Sequence, residues 1–160
     1  MISKSTIIIL FVAIVFGVIF WFSGGSRISD EMPYYLKTVV KETGVVTIRG
    51  AAFKVELAKT DAARAKGLSK RSYLDADKGM LFIFPAAGRY VFTMQDTLIS
   101  LDIIWINNNK VVFIAPSAKP GELSVDPKVD ADYVLEIIGG TSLNRRLAVG
   151  DAVVIDFDKK

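Results

Sequence analysis

The chain has 160 residues, contains neither cysteine nor histidine, and carries 20 basic against 17 acidic residues, for a formal net charge of +3. Without a thiol or an imidazole, it can form no Ser-His-Asp or Cys-His catalytic group, no Cys/His zinc site, no iron–sulfur cluster and no disulfide. Any bound metal would need oxygen ligands, as Ca²⁺, Mg²⁺ and Mn²⁺ do, and the mild, interspersed positive charge argues against nucleic acid as a partner.

The first element along the chain is an apolar run from Thr6 to Phe22 without a single charged residue. As a helix it would be about 25 Å long, enough with its flanks to cross a hydrocarbon core of about 30 Å. Lys4 precedes the run, so we expect residues 1–5 in the cytoplasm and the rest of this single-pass cell-membrane protein on the extracytoplasmic side. A cleaved signal peptide, which would leave the protein secreted, is the alternative.

The segment that follows the anchor, residues 23–44, contains Gly24, Gly25 and Pro33 and is predicted to be a tether. From Val45 the sequence is rich in β-branched residues that alternate with polar ones, which predicts one β-rich globular domain over residues 45–160. The predicted strands are VVTIRG, AFKVELA, GMLFIF, RYVFTM, LDIIWIN, KVVFIA, YVLEII and AVVIDF.

Two short helices and two tight turns are predicted between these strands. Thr60 is a suitable N-cap for DAARAKGL, with Gly67 as its end, and Thr141 for SLNRRL. PAAG and NNN have the composition of turns between antiparallel strands. The predicted fold class is mainly β: a compact β-barrel or folded-over sheet with two short helices, preceded by one transmembrane helix.

Asp96 and Asp102 are unusual because they lie within the most apolar region, FTMQDTLISLDIIWI. Asp96 is expected to stabilise a bend through hydrogen bonds to nearby backbone N–H groups. Asp102 would be buried, and a buried carboxylate needs a hydrogen-bonded or cationic partner, for which Arg64, Arg71 and Arg89 are candidates. If both carboxylates instead entered one pocket, they would form a site.

Basic residues predominate between Lys54 and Arg71, with six against two acidic ones, and this segment could face an anionic ligand or lipid headgroups. A solvated surface is the simpler interpretation. The aromatic residues of AGRYVFTM, together with Trp105, belong to the core or line a groove for a sugar or peptide. The predicted ligand-binding residues are Arg64, Arg71, Met94, Gln95, Asp96, Thr97 and Asp102.

Two acidic stretches, DADKG and VDPKVDAD, have carboxylates spaced closely enough to suggest Ca²⁺ loops. DADKG lacks the distal glutamate that an EF-hand loop requires, and VDPKVDAD reads more simply as a polar loop around Pro127. We therefore predict no metal site, no cofactor and no catalytic residue.

The domain sequence resembles the domain-of-unknown-function family 192 over roughly residues 50–157. The resemblance rests on Arg64-x-x-Gly67-Leu68, on GMLFIF, on FTMQDTLISLDI and on a Gly-Thr turn before LAVGD. The family motif commonly reads F-W-M-K-N-T with a Pro before L-D-I, whereas this chain departs from it with Thr93, Gln95, Asp96 and Ser100 in place of the Trp, Lys, Asn and Pro. The resemblance implies a small, β-rich, often exported domain, and it implies no activity.

Three functions agree with these observations. The first is a membrane-tethered extracytoplasmic module that binds a small molecule, a glycan or a protein. The second is a structural partner in an envelope assembly that uses exposed strand edges. The third and least favoured is a hydrolase that uses Asp96 and Asp102 as paired carboxylates, which would have to lie about 5–10 Å apart.

Overall fold

The structure is a computed structural model, and it describes residues 42–158. The predicted cytoplasmic residues 1–5, the anchor at 6–22 and most of the tether at 23–44 lie outside the described residues. From Glu42 to Asp158, no helix is both long enough and apolar enough to cross a membrane.

The described part of the chain consists of seven strands and two short helices. They are β1 (Thr43–Ile48), β2 (Ala51–Ala58), α1 (Asp61–Lys66), β3 (Lys78–Gly88), β4 (Leu101–Asn107), β5 (Lys110–Ala118), β6 (Ala131–Ile138), α2 (Thr141–Asn144) and β7 (Val153–Phe157). The prediction of a mainly β domain with two short helices is confirmed.

All seven strands form one sheet in the order β5-β4-β6-β3-β2-β1-β7. Every pairing is antiparallel except that of β2 with β3, which is parallel and is connected through α1. The sheet curls so that its two edge strands meet at one end. There the Val111 N–H donates to the Asp151 carbonyl over 3.0 Å, and the Gly150 N–H donates to the Val111 carbonyl over 2.8 Å. The sheet is therefore a half-barrel.

Apolar side chains cover both faces of this sheet, and each face is packed into its own hydrophobic cluster. The inner face is packed by residues from all seven strands and from the segment after α2: Val46, Ile48, Phe53, Val55, Leu81, Ile104, Ile106, Val111, Leu135, Ile137, Leu147 and Val153. The outer face carries a second cluster, to which connecting segments contribute Leu68, Leu74, Met94 and Val125. Trp105 lies in this cluster, fully buried, and its indole N–H donates to the Tyr90 carbonyl over 2.9 Å.

GMLFIF forms part of β3 as predicted, but the predictions of a turn at PAAG and of a second strand at RYVFTM are wrong. β3 continues through PAAG to Gly88, and residues 89–94 form no strand. Their backbone pairs locally with residues 122–125: the Phe92 N–H donates to the Val125 carbonyl over 3.1 Å, and the Met94 N–H donates to the Glu122 carbonyl over 2.7 Å. The alternation in this segment arises because Phe92 and Met94 pack onto the outer face of the sheet.

The helix and turn predictions had mixed outcomes. Thr60 caps α1 by accepting from the Ala63 N–H over 3.1 Å, and Gly67 ends the helix, both as predicted. Asn108 and Asn109 have left-handed φ values of 49° and 57°, which confirms the hairpin at NNN. The prediction that Thr141 caps α2 is wrong, because the N-cap is Gly140 and no side chain of α2 caps it.

Candidate functional site

A cleft of about 300 Å³ opens on the outer face of the sheet. Its walls are α1 with the residues that follow it, and the segment from residue 90 to residue 97. Its floor comes from β3 and β6. The lining residues are Arg64, Ala65, Lys66, Gly67, Leu68, Ser69, Phe82, Phe84, Tyr90, Val91, Phe92, Thr93, Gln95, Asp96, Thr97 and Glu136.

Glu136 supplies the carboxyl group on the floor of the cleft. It lies on β6 between Met80 of β3 and Ile103 of β4, and only 4% of its surface is exposed. Between residues 42 and 158, no side chain and no backbone N–H donates a hydrogen bond to it. Burial raises the pKa of Glu136 from 4.5 to about 8, partly opposed by the positive charge of Arg71. This raised pKa favours the protonated carboxyl group at neutral pH, and that form can donate a hydrogen bond.

An ion pair between Arg71 and Glu56 lies on the same face of the sheet as Glu136. Glu56 is the register partner of Met80, and Met80 is the register partner of Glu136. The two guanidinium nitrogens of Arg71 donate to the two carboxylate oxygens of Glu56 over 2.8 and 2.5 Å. This hydrogen bonding raises the pKa of Arg71. Because Glu56 engages Arg71, the guanidinium only partly offsets the burial of Glu136.

Arg64 fixes the wall that α1 contributes. Its guanidinium donates to the Ile83 carbonyl over 2.7 Å and to the Lys59 carbonyl over 2.6 Å, and it forms an ion pair with Asp61. It also lies 5.3 Å from the ring centre of Phe84, which stacks on Tyr90 with 3.5 Å between ring centres. These contacts hold the helix against the edge of β3, so this wall has a defined position.

The opposite wall is held by backbone hydrogen bonds and by one buried side chain. Met94 is fully buried and anchors the segment to the core, and the Thr97 N–H donates to the Met94 carbonyl over 3.0 Å. The Lys70 N–H donates to the Asp96 carbonyl over 2.8 Å and thereby joins the two walls. The side chains of Gln95 and Asp96 are left exposed at the rim.

Asp102 is fully buried and has a different environment. Its carboxylate accepts backbone N–H groups from Ser117 over 2.8 Å, from Gly140 over 2.9 Å and from Ser142 over 2.6 Å. The hydrogen bonds from Gly140 and Ser142 cap α2, which explains why Thr141 is not needed for that role. Asp102 thus has hydrogen-bonded partners, while Arg64, Arg71 and Arg89 pair with other acidic side chains.

The structure brings some of the predicted site residues together and leaves others apart. Those that line the cleft are Arg64, Gln95, Asp96 and Thr97. Those that do not are Arg71, Met94 and Asp102. Asp96 and Asp102 therefore do not face each other across one cleft, as a hydrolase built on this pair would require. Sequence reasoning missed Glu136, although a single charged residue inside the apolar run YVLEII was a signal of the same kind as Asp102.

The acidic stretches outside the cleft are occupied by ion pairs. Asp126 accepts from Arg89 over 3.0 and 2.7 Å, and this contact lowers the pKa of Asp126. Lys78 likewise lowers the pKa of Asp75, which also accepts from the Tyr73 hydroxyl over 2.7 Å. In the described domain, no group of three or more acidic side chains is arranged to hold a metal ion.

Comparison with known proteins identifies the family. Two crystal structures are similar: a protein of unknown function from Novosphingobium aromaticivorans DSM 12444 and a protein from Sinorhizobium meliloti 1021 with a proposed role as a transcription regulator. The first is 34% identical, with a TM-score of 0.65 over 71% of this chain and 83% of its own. The second is 28% identical, with a TM-score of 0.66 over 72% of this chain and 93% of its own.

The comparison with curated proteins found no match. The sequence model of the domain-of-unknown-function family 192, described as "Uncharacterized ACR", matches residues 44–155. That range includes every strand but the ends of β1 and β7, and both walls of the cleft. The chain belongs to the domain-of-unknown-function family 192.

Proposed function

We propose that this chain is a ligand-binding module, that its ligand is a small molecule, and that the cleft between α1 and residues 90–97 is the binding site. The observation that supports this most directly is Glu136. A buried carboxyl group without a hydrogen-bonding partner costs free energy, and the cost is reduced when a ligand supplies that partner. A cleft of about 300 Å³ is at the lower end of the range for small-molecule sites.

The composition of the cleft also favours binding. Three phenylalanine side chains contribute apolar surface to the lining, and nine of its sixteen residues carry a hydroxyl, amide or charged group. In ligand pockets apolar surface supplies affinity and polar groups set orientation, and this cleft offers both. Hydrolysis by a pair of carboxylates is less favoured because Asp102 is already engaged by three N–H donors.

The proposal includes a location. The apolar run at residues 6–22 and Lys4 before it support a single membrane anchor with the β-rich domain on the extracytoplasmic side. Protease added to spheroplasts with an intact cytoplasmic membrane should then remove the domain, and membrane washing at high pH should not release it. Protection of the domain in such spheroplasts would contradict this orientation.

Binding can be tested with a fragment library and the full-length chain in detergent micelles. Amide and methyl NMR shifts should change at residues of α1, residues 90–97 and Glu136 for at least one fragment. Glu136→Leu, which fills the same space without a polar group, should abolish or strongly weaken that response. Asp130→Asn, at an exposed acidic position outside the cleft, serves as the control. If no fragment shifts any cleft residue, the proposed function is wrong.

A further inference from the structure

We propose that the ligand is a small organic carboxylate, with the Glu136 carboxyl group donating a hydrogen bond to it and with Lys66 supplying positive charge at the rim. This inference rests on the proposed function, because it names the chemical class of ligand for the same cleft. It also assigns Glu136 the role of a neutral donor, where a glutamate in a binding site is usually an anionic acceptor.

Glu136 lies among apolar side chains in the sheet. Its strand neighbours at the same level of the sheet are Met80 and Ile103, which are both buried and apolar. These neighbours give a negative charge on the carboxyl group little stabilisation. In its protonated form it offers one O–H donor, and a carboxylate oxygen is a strong, charged acceptor for such a donor.

The charged side chains around the cleft restrict the charge of the ligand. When Glu136 is protonated, the charged side chains that line the cleft are Arg64, Lys66 and Asp96, and Arg64 is paired with Asp61. Arg71 adds a further cation behind the floor, although Glu56 is paired with it. The titratable and charged groups around the cleft and its floor are thus Glu56, Asp61, Arg64, Lys66, Arg71, Tyr90 and Asp96. Arg64 and Arg71 are paired with acidic side chains, so Lys66 is the lining cation that can pair with a ligand's carboxylate, whereas a cationic ligand would have to ionise Glu136 first.

The inner surface of the cleft is apolar, and this property restricts the organic group to which the ligand's carboxylate is attached. Phe82, Phe84 and Phe92 form its apolar part, and Phe92 packs edge-on against Phe82 with 4.9 Å between ring centres. Such a surface fits a planar or aliphatic body, and it gives no binding energy to a bare inorganic anion. An aromatic or short aliphatic acid meets both requirements.

The test compares three molecules of nearly the same shape: benzoate, benzamide and benzamidine, which carry negative, zero and positive charge. Each is titrated by calorimetry into the full-length chain in micelles between pH 6 and pH 9.5. Benzoate should bind most tightly and benzamidine most weakly. The benzoate affinity should be constant below about pH 8 and should fall about tenfold for each pH unit above that value, with uptake of a proton on binding.

Two variants keep the test independent of folding. Glu136→Gln retains an N–H donor without a titrating group, so it should still bind benzoate, and its affinity should no longer depend on pH. Lys66→Gln should weaken benzoate binding about two- to fivefold at low salt, and less at high salt. Lys110→Gln, a neutralised exposed lysine outside the cleft, should leave binding unchanged.

Several outcomes would overturn the inference. Tighter binding of benzamidine than of benzoate would make Glu136 an anionic acceptor for a cation. A benzoate affinity that is independent of pH in the unmodified chain would remove Glu136 from the interaction. If none of the three molecules binds while other fragments shift cleft residues, the carboxylate assignment fails and the proposed function stands. If no fragment of any kind binds, both fail.

Discussion

Asp102 and Glu136 lie on adjacent strands, one register position apart, and yet they meet opposite conditions. Asp102 pairs with Ile137, and Ile103 pairs with Glu136, so the two acidic side chains point to opposite faces of the sheet. Asp102 is 0% exposed and accepts three backbone N–H groups, whereas Glu136 is 4% exposed and accepts none from residues 42–158. Hydrogen bonds offset the free-energy cost of burying the Asp102 carboxylate, and protonation reduces the free-energy cost of burying Glu136. The hydrogen bonds of Asp102 are therefore made within the protein, whereas the carboxyl group of Glu136 still has hydrogen-bonding capacity for a ligand.

The largest effect is expected from Asp102→Ala. The N–H groups of Ser117, Gly140 and Ser142 would lose their acceptor inside the protein, and we expect a loss of about 3–5 kcal/mol in the free energy of unfolding. Urea denaturation at pH 7 measures it. Asp130→Ala, at an exposed position, should change stability by no more than about 0.5 kcal/mol. A loss below about 1 kcal/mol for Asp102→Ala would mean that these hydrogen bonds are not what holds α2 and β5 in place.

The next largest effect is expected from Glu136→Gln, whose free energy of unfolding should exceed that of the unmodified chain increasingly as the pH rises. Since the pKa of Glu136 is about 8 in the folded chain and 4.5 is its ordinary value, the folded state binds more protons between these values. Stability contributed by the protonated group is therefore present below about pH 4.5 and is lost as the pH rises towards 8. The glutamine variant lacks this loss, so it should be more stable than the unmodified chain by about 2–4 kcal/mol at pH 9.

Urea denaturation at pH 5, 7 and 9 checks this expectation. The two chains should have nearly equal stability at pH 5 and should diverge as the pH rises. Parallel stability curves for the two chains would show that Glu136 titrates normally, and the contrast with Asp102 would then disappear.

A smaller effect is expected from Arg71→Gln. This change alters the surroundings of Glu136 and leaves those of Asp102 as they are, so it tests the contrast between the two acidic side chains. The positive charge of Arg71 lowers the pKa of Glu136, so its removal should raise that pKa further. The loss of the half-buried pair with Glu56 should cost about 1–2 kcal/mol of stability. Carboxyl ¹³C NMR titration measures the pKa. Arg89→Gln, which breaks the exposed pair with Asp126, should leave the Glu136 titration unchanged.

The smallest effect is expected from Thr60→Ala, which removes a helix cap that is local and exposed, unlike the distant and buried cap that Asp102 provides. The loss should be about 0.5–1 kcal/mol, and Thr60→Ser should largely restore stability because it keeps the hydroxyl acceptor. Thermal unfolding of the three chains compares them directly. A loss as large as that of Asp102→Ala would show that burial is not what distinguishes the two caps.

Local sequence patterns predicted much of the fold. The alternation in AFKVELA and LDIIWIN identified β2 and β4, and Thr60 with Gly67 identified α1, because each signal acts within a few residues. The parallel pairing of β2 with β3 could not be predicted in this way, since it depends on how a crossover returns to the sheet. RYVFTM was mistaken for a strand because packing onto a sheet produces the same alternation as pairing within one.

The candidate site was predicted only in part, for a related reason. Arg64, Gln95, Asp96 and Thr97 were found because they are close in sequence to a basic segment or to the conspicuous Asp102. Glu136 completes the cleft from β6, some forty residues later, and only the sheet order places it beside Met80. The partners of Asp102 were likewise not arginines but backbone groups of Ser117, Gly140 and Ser142, whose approach depends on the turn after β6.

The pairing of β1 with β7 has a consequence for how the domain is made. β1 (Thr43–Ile48) is the first strand of the described domain and β7 (Val153–Phe157) is the last. One edge of β1 is therefore uncovered until Val153 has been synthesised and can pair with Ile48. More than one hundred residues must be synthesised between the two strands, and contacts of such long sequence separation form slowly. A chain emerging from the ribosome, or crossing a membrane, would expose the edge of β1 throughout that interval. Chaperone dependence during biogenesis is therefore expected from the strand order alone.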